Sequence, residues 1–137
     1  MELAREAQYS QPPEKVWHAL TDRQALGQVF ADNDFQPVEG HRFQFRAKPR
    51  PGWDGIINGR VTKVEPNRRL TYEFQGSRMK TPTTVTWELA PRDGGTSLRL
   101  VHSGFRGLGQ RLLAFVLDRG WKRMMEQDLR RFLGPSA

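Results

Sequence analysis

Cysteine is absent from all 137 residues. Disulfides, thiolate metal sites and cysteine nucleophiles are thereby excluded, and a reducing compartment fits. Long apolar runs are missing too. The longest strictly apolar stretch, Leu112 to Leu117, falls far short of the roughly 20 residues a bilayer span needs. The opening Met1-Glu2-Leu3-Ala4-Arg5-Glu6 carries acids and lacks the apolar centre of a secretory signal. No integral membrane contact is expected, and the cytoplasm is the default location. Histidine is sparse: His18, His41 and His102 stand far apart, without metal-ligand spacing. There is no G-x-S-x-G nucleophile elbow, and Gly104-Phe105-Arg106-Gly107-Leu108-Gly109 lacks the lysine of a phosphate cradle. No cofactor is expected.

Positive charge is plentiful, with a formal net charge of +7. Its distribution argues against nucleic acid as a partner. The cations are scattered, with only the short pairs Arg68-Arg69, Lys122-Arg123 and Arg130-Arg131, so the pattern is that of a solvated basic surface. The length suits one domain that buries roughly two thirds of its unfolded surface.

Six strand-like runs emerge from period-two alternation. Leu3 to Ser10 is the first, stopped by Pro12-Pro13. Pro13 opens a short helix through Leu20, with Glu14 at its positive end and Val16, Trp17 and Leu20 on its buried side. Thr21 and Gln24 have capping-box spacing and predict a second short helix to about Gln28. Asn33-Asp34 reads as a turn. His41 to Ala47, Ile56 to Glu65, Arg69 to Gln75, Thr83 to Leu89 and Thr96 to His102 complete the set, with Asp93-Gly94-Gly95 a strong hairpin signal. One-sided alternation implies an antiparallel sheet with one covered and one wet face.

The cover is a C-terminal helix. At about 100° per residue, Leu113, Leu117, Trp121, Met124, Met125 and Phe132 fall on one side, with Arg119, Lys122, Arg123, Arg130 and Arg131 mainly elsewhere. Gly120 predicts a bend, a break or close packing, and Asp118 could cap a restart there. Gly134-Pro135 ends the helix. Leu108, Leu112 and Phe115 lie off the stripe, and are expected to pack under the short helices or to mark a dimer surface.

Several motifs occur in a telling order: Pro12-Pro13-Glu14-Lys15-Val16-Trp17-His18-Ala19-Leu20-Thr21-Asp22, Asn33-Asp34-Phe35-Gln36-Pro37 with Gly40, Val64-Glu65-Pro66 with Arg69-Leu70, Thr84-Val85-Thr86-Trp87, and His102-Ser103-Gly104-Phe105 with Gly120-Trp121. On these the chain resembles the α+β helix-grip fold of the START-related (SRPBCC) superfamily. More narrowly, it is similar to the C-terminal domain of activators of the ninety-kilodalton heat-shock chaperone ATPase, a group with many stand-alone bacterial members. The resemblance implies a curved antiparallel sheet of six or seven strands wrapped on the long helix. Two departures stand out. Where the family usually has a tryptophan after the second short helix, this chain reads Gln28-Val29-Phe30, and the co-chaperones' separate N-terminal domain is not expected, since the resemblance already takes up nearly all 137 residues.

The resemblance also implies a cavity between sheet and helix. Alternation nominates Phe43, Phe45, Tyr72, Phe74, Val85, Trp87, Leu100, Leu117, Trp121, Met124 and Met125 as its lining. Tyr72, His102 and Asp128 are polar groups on otherwise apolar faces, and each needs a partner. They are the candidates to orient a ligand's polar end, with the Tyr72 hydroxyl expected at the rim. The leading expectation is non-catalytic binding of a small hydrophobic molecule. A cyclase-like or hydrolytic enzyme using His102 or Asp128 as acid or base is the second reading. The third is a protein-interaction module, which a collapsed interior with an exposed apolar patch would favour. A monomer or weak homodimer is expected.

Overall fold

The computed structural model describes residues 2–107 and 109–135. Seven strands form one antiparallel sheet: β1 (Glu2–Tyr9), β2 (Asp32–Asn33), β3 (Arg42–Arg46), β4 (Ile56–Glu65), β5 (Arg69–Gly76), β6 (Thr83–Arg92) and β7 (Gly95–Ser103). Their order across the sheet is β1-β7-β6-β5-β4-β3-β2. The chain thus runs from β2 to β7 through neighbouring strands, and β1 closes onto β7 from the far end. Alternation places Ala7, Tyr9, Phe43, Phe45, Val61, Leu70, Tyr72, Phe74, Val85, Trp87, Leu98 and Leu100 on the buried face. The expected helix-grip architecture is present.

Local chemistry sets the turns and bends. Asp93 and Gly94 take φ of 50° and 81°, the double positive-φ step whose twist suits a tight hairpin between β6 and β7. Between Val61 and Lys63 the β4–β5 register slips, a bulge that bends the sheet. Phe43 pairs across strands with Gly59, and its ring lies where a Cβ on Gly59 would stand. The missing side chain is what lets the aromatic ring fold flat onto the neighbouring strand.

Helix α1 (Pro13–Thr21) begins at proline as expected. The second helix, α2 (Arg23–Val29), corrects the capping assignment. Its cap is Asp22, whose carboxylate accepts from the Ala25 amide at 3.0 Å, while the Thr21 hydroxyl donates back to the Trp17 carbonyl at 2.8 Å. The expected Asn33-Asp34 turn is also corrected. Asn33 belongs to β2 and is buried, its amide donating to the carbonyls of Arg23 and Ala31 while its oxygen accepts from the Phe35 amide.

The C-terminal rod comprises α3 (Gln110–Arg123), a π-helical turn (Met124–Asp128) and α4 (Leu129–Leu133). Right-handed helical geometry holds at both junctions, so the rod is continuous. Gly120 causes neither break nor close contact: the helix passes through it and a Cβ there would meet nothing within 4 Å. Asp118 does not cap a restart but holds Arg5 of β1 through two hydrogen bonds, Nε to Oδ1 at 2.7 Å and Nη2 to Oδ2 at 2.9 Å. The irregularity falls instead at the π turn. There the Met125 carbonyl accepts the buried Tyr9 hydroxyl at 2.7 Å, and the Arg130 guanidinium lies 4.8 Å over the Tyr9 ring. Helices α1 and α2 pack against α4, and α1 also reaches β6 and β7. No described helix is long and apolar enough to cross a membrane.

Replacing Gly59 with Ala should therefore cost about 1–3 kcal/mol, because the Phe43 ring and the Glu73 carbonyl leave no room for a methyl group. Urea denaturation checks this, and Gly120→Ala should be neutral or stabilising.

Candidate functional site

The layer between sheet and rod is where the sequence locates a ligand. Here the residues expected to line a cavity meet one another. Trp121, 2% exposed, points from the rod into the sheet. Its indole stacks on Phe30 with centroids 5.3 Å apart, lies 5.8 Å from Phe74 and packs edge-on against Trp87 at 5.5 Å. Phe30 in turn sets its ring edge-on to Phe45 at 4.8 Å, and Phe35, Phe43, Phe45 and Tyr72 form a second set of ring contacts between 4.9 and 6.5 Å. Val85, Leu100, Met124 and Met125 belong to the same buried cluster, with Leu117 half-buried against it. The side chains expected to line an open cavity thus pack against one another. Large aromatic rings from both layers, Phe30 among them, meet in this layer.

The polar candidates part company. His102 has no exposed surface. Indole N–H is a donor only, so the 3.1 Å contact from Trp121 Nε1 makes His102 Nδ1 an acceptor. The ring proton therefore sits on Nε2 and is donated to Thr83 Oγ1 at 2.7 Å, and the Thr83 hydroxyl donates onward to the Phe74 carbonyl at 2.6 Å. Phe74 and Phe105 cover the imidazole. Burial pushes the His102 pKa down from 6.5 to about 3, so the ring is neutral at ordinary pH with both nitrogens engaged.

Tyr72 corrects the expectation of a hydroxyl at the rim. The side chain is buried, its oxygen accepts from Trp87 Nε1 at 3.0 Å, and burial raises its pKa. Asp128 does not join either group. It is half-buried at the end of the π turn and faces Arg131 at 3.8 Å, the ordinary i,i+3 pairing. Among the described residues no buried side-chain nitrogen or oxygen lacks a hydrogen-bond partner.

Two surface regions remain. The wet face of the sheet has a groove of about 540 Å³ lined by Glu6, Glu65, Arg68, Arg69, Glu88 and Arg99, among others. Its charges largely satisfy each other: Glu88 takes Arg69 at 2.9 Å and Arg99 at 3.5 Å. The outer face of α3 is different. Leu112, Phe115 and Val116 are 69%, 58% and 56% exposed, which overturns the expectation that Leu112 and Phe115 pack under the short helices. Leu108, expected with them, lies outside the described residues. Arg111, Arg119, Lys122 and Arg123 are exposed on the same helix, with Arg119 lying 5.8 Å over the Phe115 ring. In the sequence Leu112 and Phe115 stood off the stripe, with a dimer surface as the alternative to packing, whereas Val116 was not singled out. The signal was the overlap of two apolar arcs before Gly120, only one of which the sheet can cover.

His102 has a pH consequence. Because its folded pKa lies below its unfolded one, the unfolded chain takes up a proton first as pH falls. The histidine's contribution is complete above about 6.5 and is lost as pH drops toward about 3, at up to about 1.4 kcal/mol per pH unit. Denaturant midpoints measured across this range should show that slope, and His102→Gln should lack this component while keeping the carboxylate-dependent part.

Comparison with known proteins agrees with this fold. A protein from Mesorhizobium loti has a crystal structure similar to this chain, at 35% identity and a TM-score of 0.87 over 97% of this chain and 96% of that one. The crystal structure of an HSP90 activator from Plasmodium falciparum shares the fold at 19% identity and a TM-score of 0.81, covering 98% and 96% of the two chains. The solution structure of the Aha1 dimer from Colwellia psychrerythraea does so at 21% identity and a TM-score of 0.77, covering 92% and 91%. No curated protein matches. The family described as Activator of Hsp90 ATPase homolog 1-like protein matches residues 10–134, and the chain belongs to that family.

Proposed function

We propose that this protein is a non-catalytic binding domain whose working surface is the outer face of α3, with the interior serving as its scaffold. One observation carries the reading: the interior is packed with rings while three large apolar side chains, Leu112, Phe115 and Val116, stand exposed together on the rod. Apolar side chains grouped on a surface favour a partner that removes them from water. Catalysis by the residues nominated for it does not fit. His102 is neutral with both nitrogens occupied, and Asp128 is paired with Arg131.

The interior supports a second reading, a small and largely apolar ligand held between sheet and rod in an opened state. The observation favouring it is that the half-buried Phe30 stacks over Trp121 at the edge of the layer, beside the pliable Met124 and Met125. A ligand entering there would have to displace Trp121, so its binding would show as saturable quenching of tryptophan fluorescence.

The paired substitution Leu112→Asp with Phe115→Asp, introduced at the native locus, tests the leading reading. Both positions are exposed, so the folded protein should lose no more than about 0.5 kcal/mol and stay abundant. The strain should nevertheless reproduce the phenotype of a gene deletion. A strain indistinguishable from wild type, alongside a deletion with a clear phenotype, rejects the surface.

A further inference from the structure

The outer face of α3 combines two properties along its axis. Its first two turns expose Leu112, Phe115 and Val116, and the next turn and a half exposes Arg119, Lys122 and Arg123, with Arg111 and the loop residue Arg106 at the other end. The only carboxylate of α3, Asp118, is taken by Arg5. Among the described residues Arg111, Lys122 and Arg123 have no ion-pair partner, and Glu126, the exposed acid of the rod, comes after the cationic stretch. The free charge of α3 is therefore entirely positive, and it flanks the apolar trio on both sides.

Resting on the reading that this face is the working surface, we infer that its partner is an anionic lipid bilayer, on which the protein docks peripherally through α3. Charge complementarity selects a negative partner. A second copy of the chain would bring Arg119, Lys122 and Arg123 against cations of the same kind, which opposes self-association by this face. The apolar part selects a lipid phase over an acidic protein. Leu112, Phe115 and Val116 stand on one convex helix and offer a protein partner no groove or pocket of their own. A fluid bilayer needs no matching pocket. It accepts Leu, Val and Phe side chains at the acyl boundary while phosphates meet guanidinium groups bidentately at headgroup depth. The rod would lie on the membrane with its inward face still clamped to the sheet, so docking needs no opening of the core.

Co-sedimentation with vesicles tests this, using phosphatidylcholine alone and a roughly two-to-one mixture of phosphatidylcholine and phosphatidylglycerol at low salt. The intact protein should bind the mixed vesicles about tenfold or more tightly than the neutral ones, and less tightly as salt rises. Leu112→Asp with Phe115→Asp should weaken that binding about tenfold, and so should Arg119→Glu with Lys122→Glu and Arg123→Glu, with unchanged unfolding midpoints. Absence of wild-type binding to the mixed vesicles overturns the proposal. Binding that survives the apolar substitutions also overturns it, since that is adsorption of a basic surface. If soluble polyglutamate is bound as tightly as the mixed vesicles and with the same dependence on Phe115, an acidic protein is the partner instead. Failure on vesicles with a retained cellular effect of the apolar pair rejects the lipid alone, whereas no cellular effect rejects the surface.

Discussion

The buried hydrogen bond from the indole of Trp121 to Nδ1 of His102 joins the C-terminal rod to β7 and organises the interior around it. The donor fixes the histidine tautomer, which sends the ring proton to Thr83, whose hydroxyl then donates to the Phe74 carbonyl at 2.6 Å. Each link is buried, and breaking one would leave a polar group unpaired at a cost of about 1–3 kcal/mol. The indole adds its own area: burying a tryptophan removes on the order of 200 Å² from water, about 5 kcal/mol at about 25 cal/mol per Å². Both effects favour one seated position for Trp121, between the sheet and the rod.

The rest of the rod is registered around this point. The π turn inserts backbone into the helix, rotating the residues beyond it back by up to about one residue's arc of 100°. Leu129 thereby reaches the core, fully buried, and the Met125 carbonyl faces Tyr9. At the other end Arg5 and Asp118 join β1 to α3; part-exposed, the pair contributes mainly geometry. With the inward face used up in this way, the apolar residues of the opposite face have no cover from the protein itself. The surface chemistry is thus a consequence of how the core was closed.

Much of this was legible in the chain. Alternation through Phe43-Phe45, Leu70-Tyr72-Phe74, Val85-Trp87-Leu89 and Leu98-Leu100 identified the covered face, because period two is a direct record of which side of a strand is wet. Asp93-Gly94-Gly95 placed the hairpin for the same local reason. The features that escaped depend on contacts remote in sequence. Asn33 pairs in a two-residue strand because α2 presents the Arg23 carbonyl to its amide, and Asp22 outcompetes Thr21 as a cap because the threonine hydroxyl turns back to Trp17. A helical wheel with fixed pitch cannot anticipate the π turn, so Leu129 fell outside the expected stripe. Whether rings facing each other across two layers leave a gap or fill it depends on their tilts, and alternation carries no information about tilt.

Whether Trp121 seals the interior can be measured by native-state hydrogen exchange of its indole N–H, observed by NMR. Exchange should occur only through global unfolding, with a protection free energy equal to the stability measured by denaturant and shared by the Trp87 indole. Fast exchange of the Trp121 N–H through local opening, while amides in β6 and β7 remain protected, would contradict the seal and return the interior to use as a binding site.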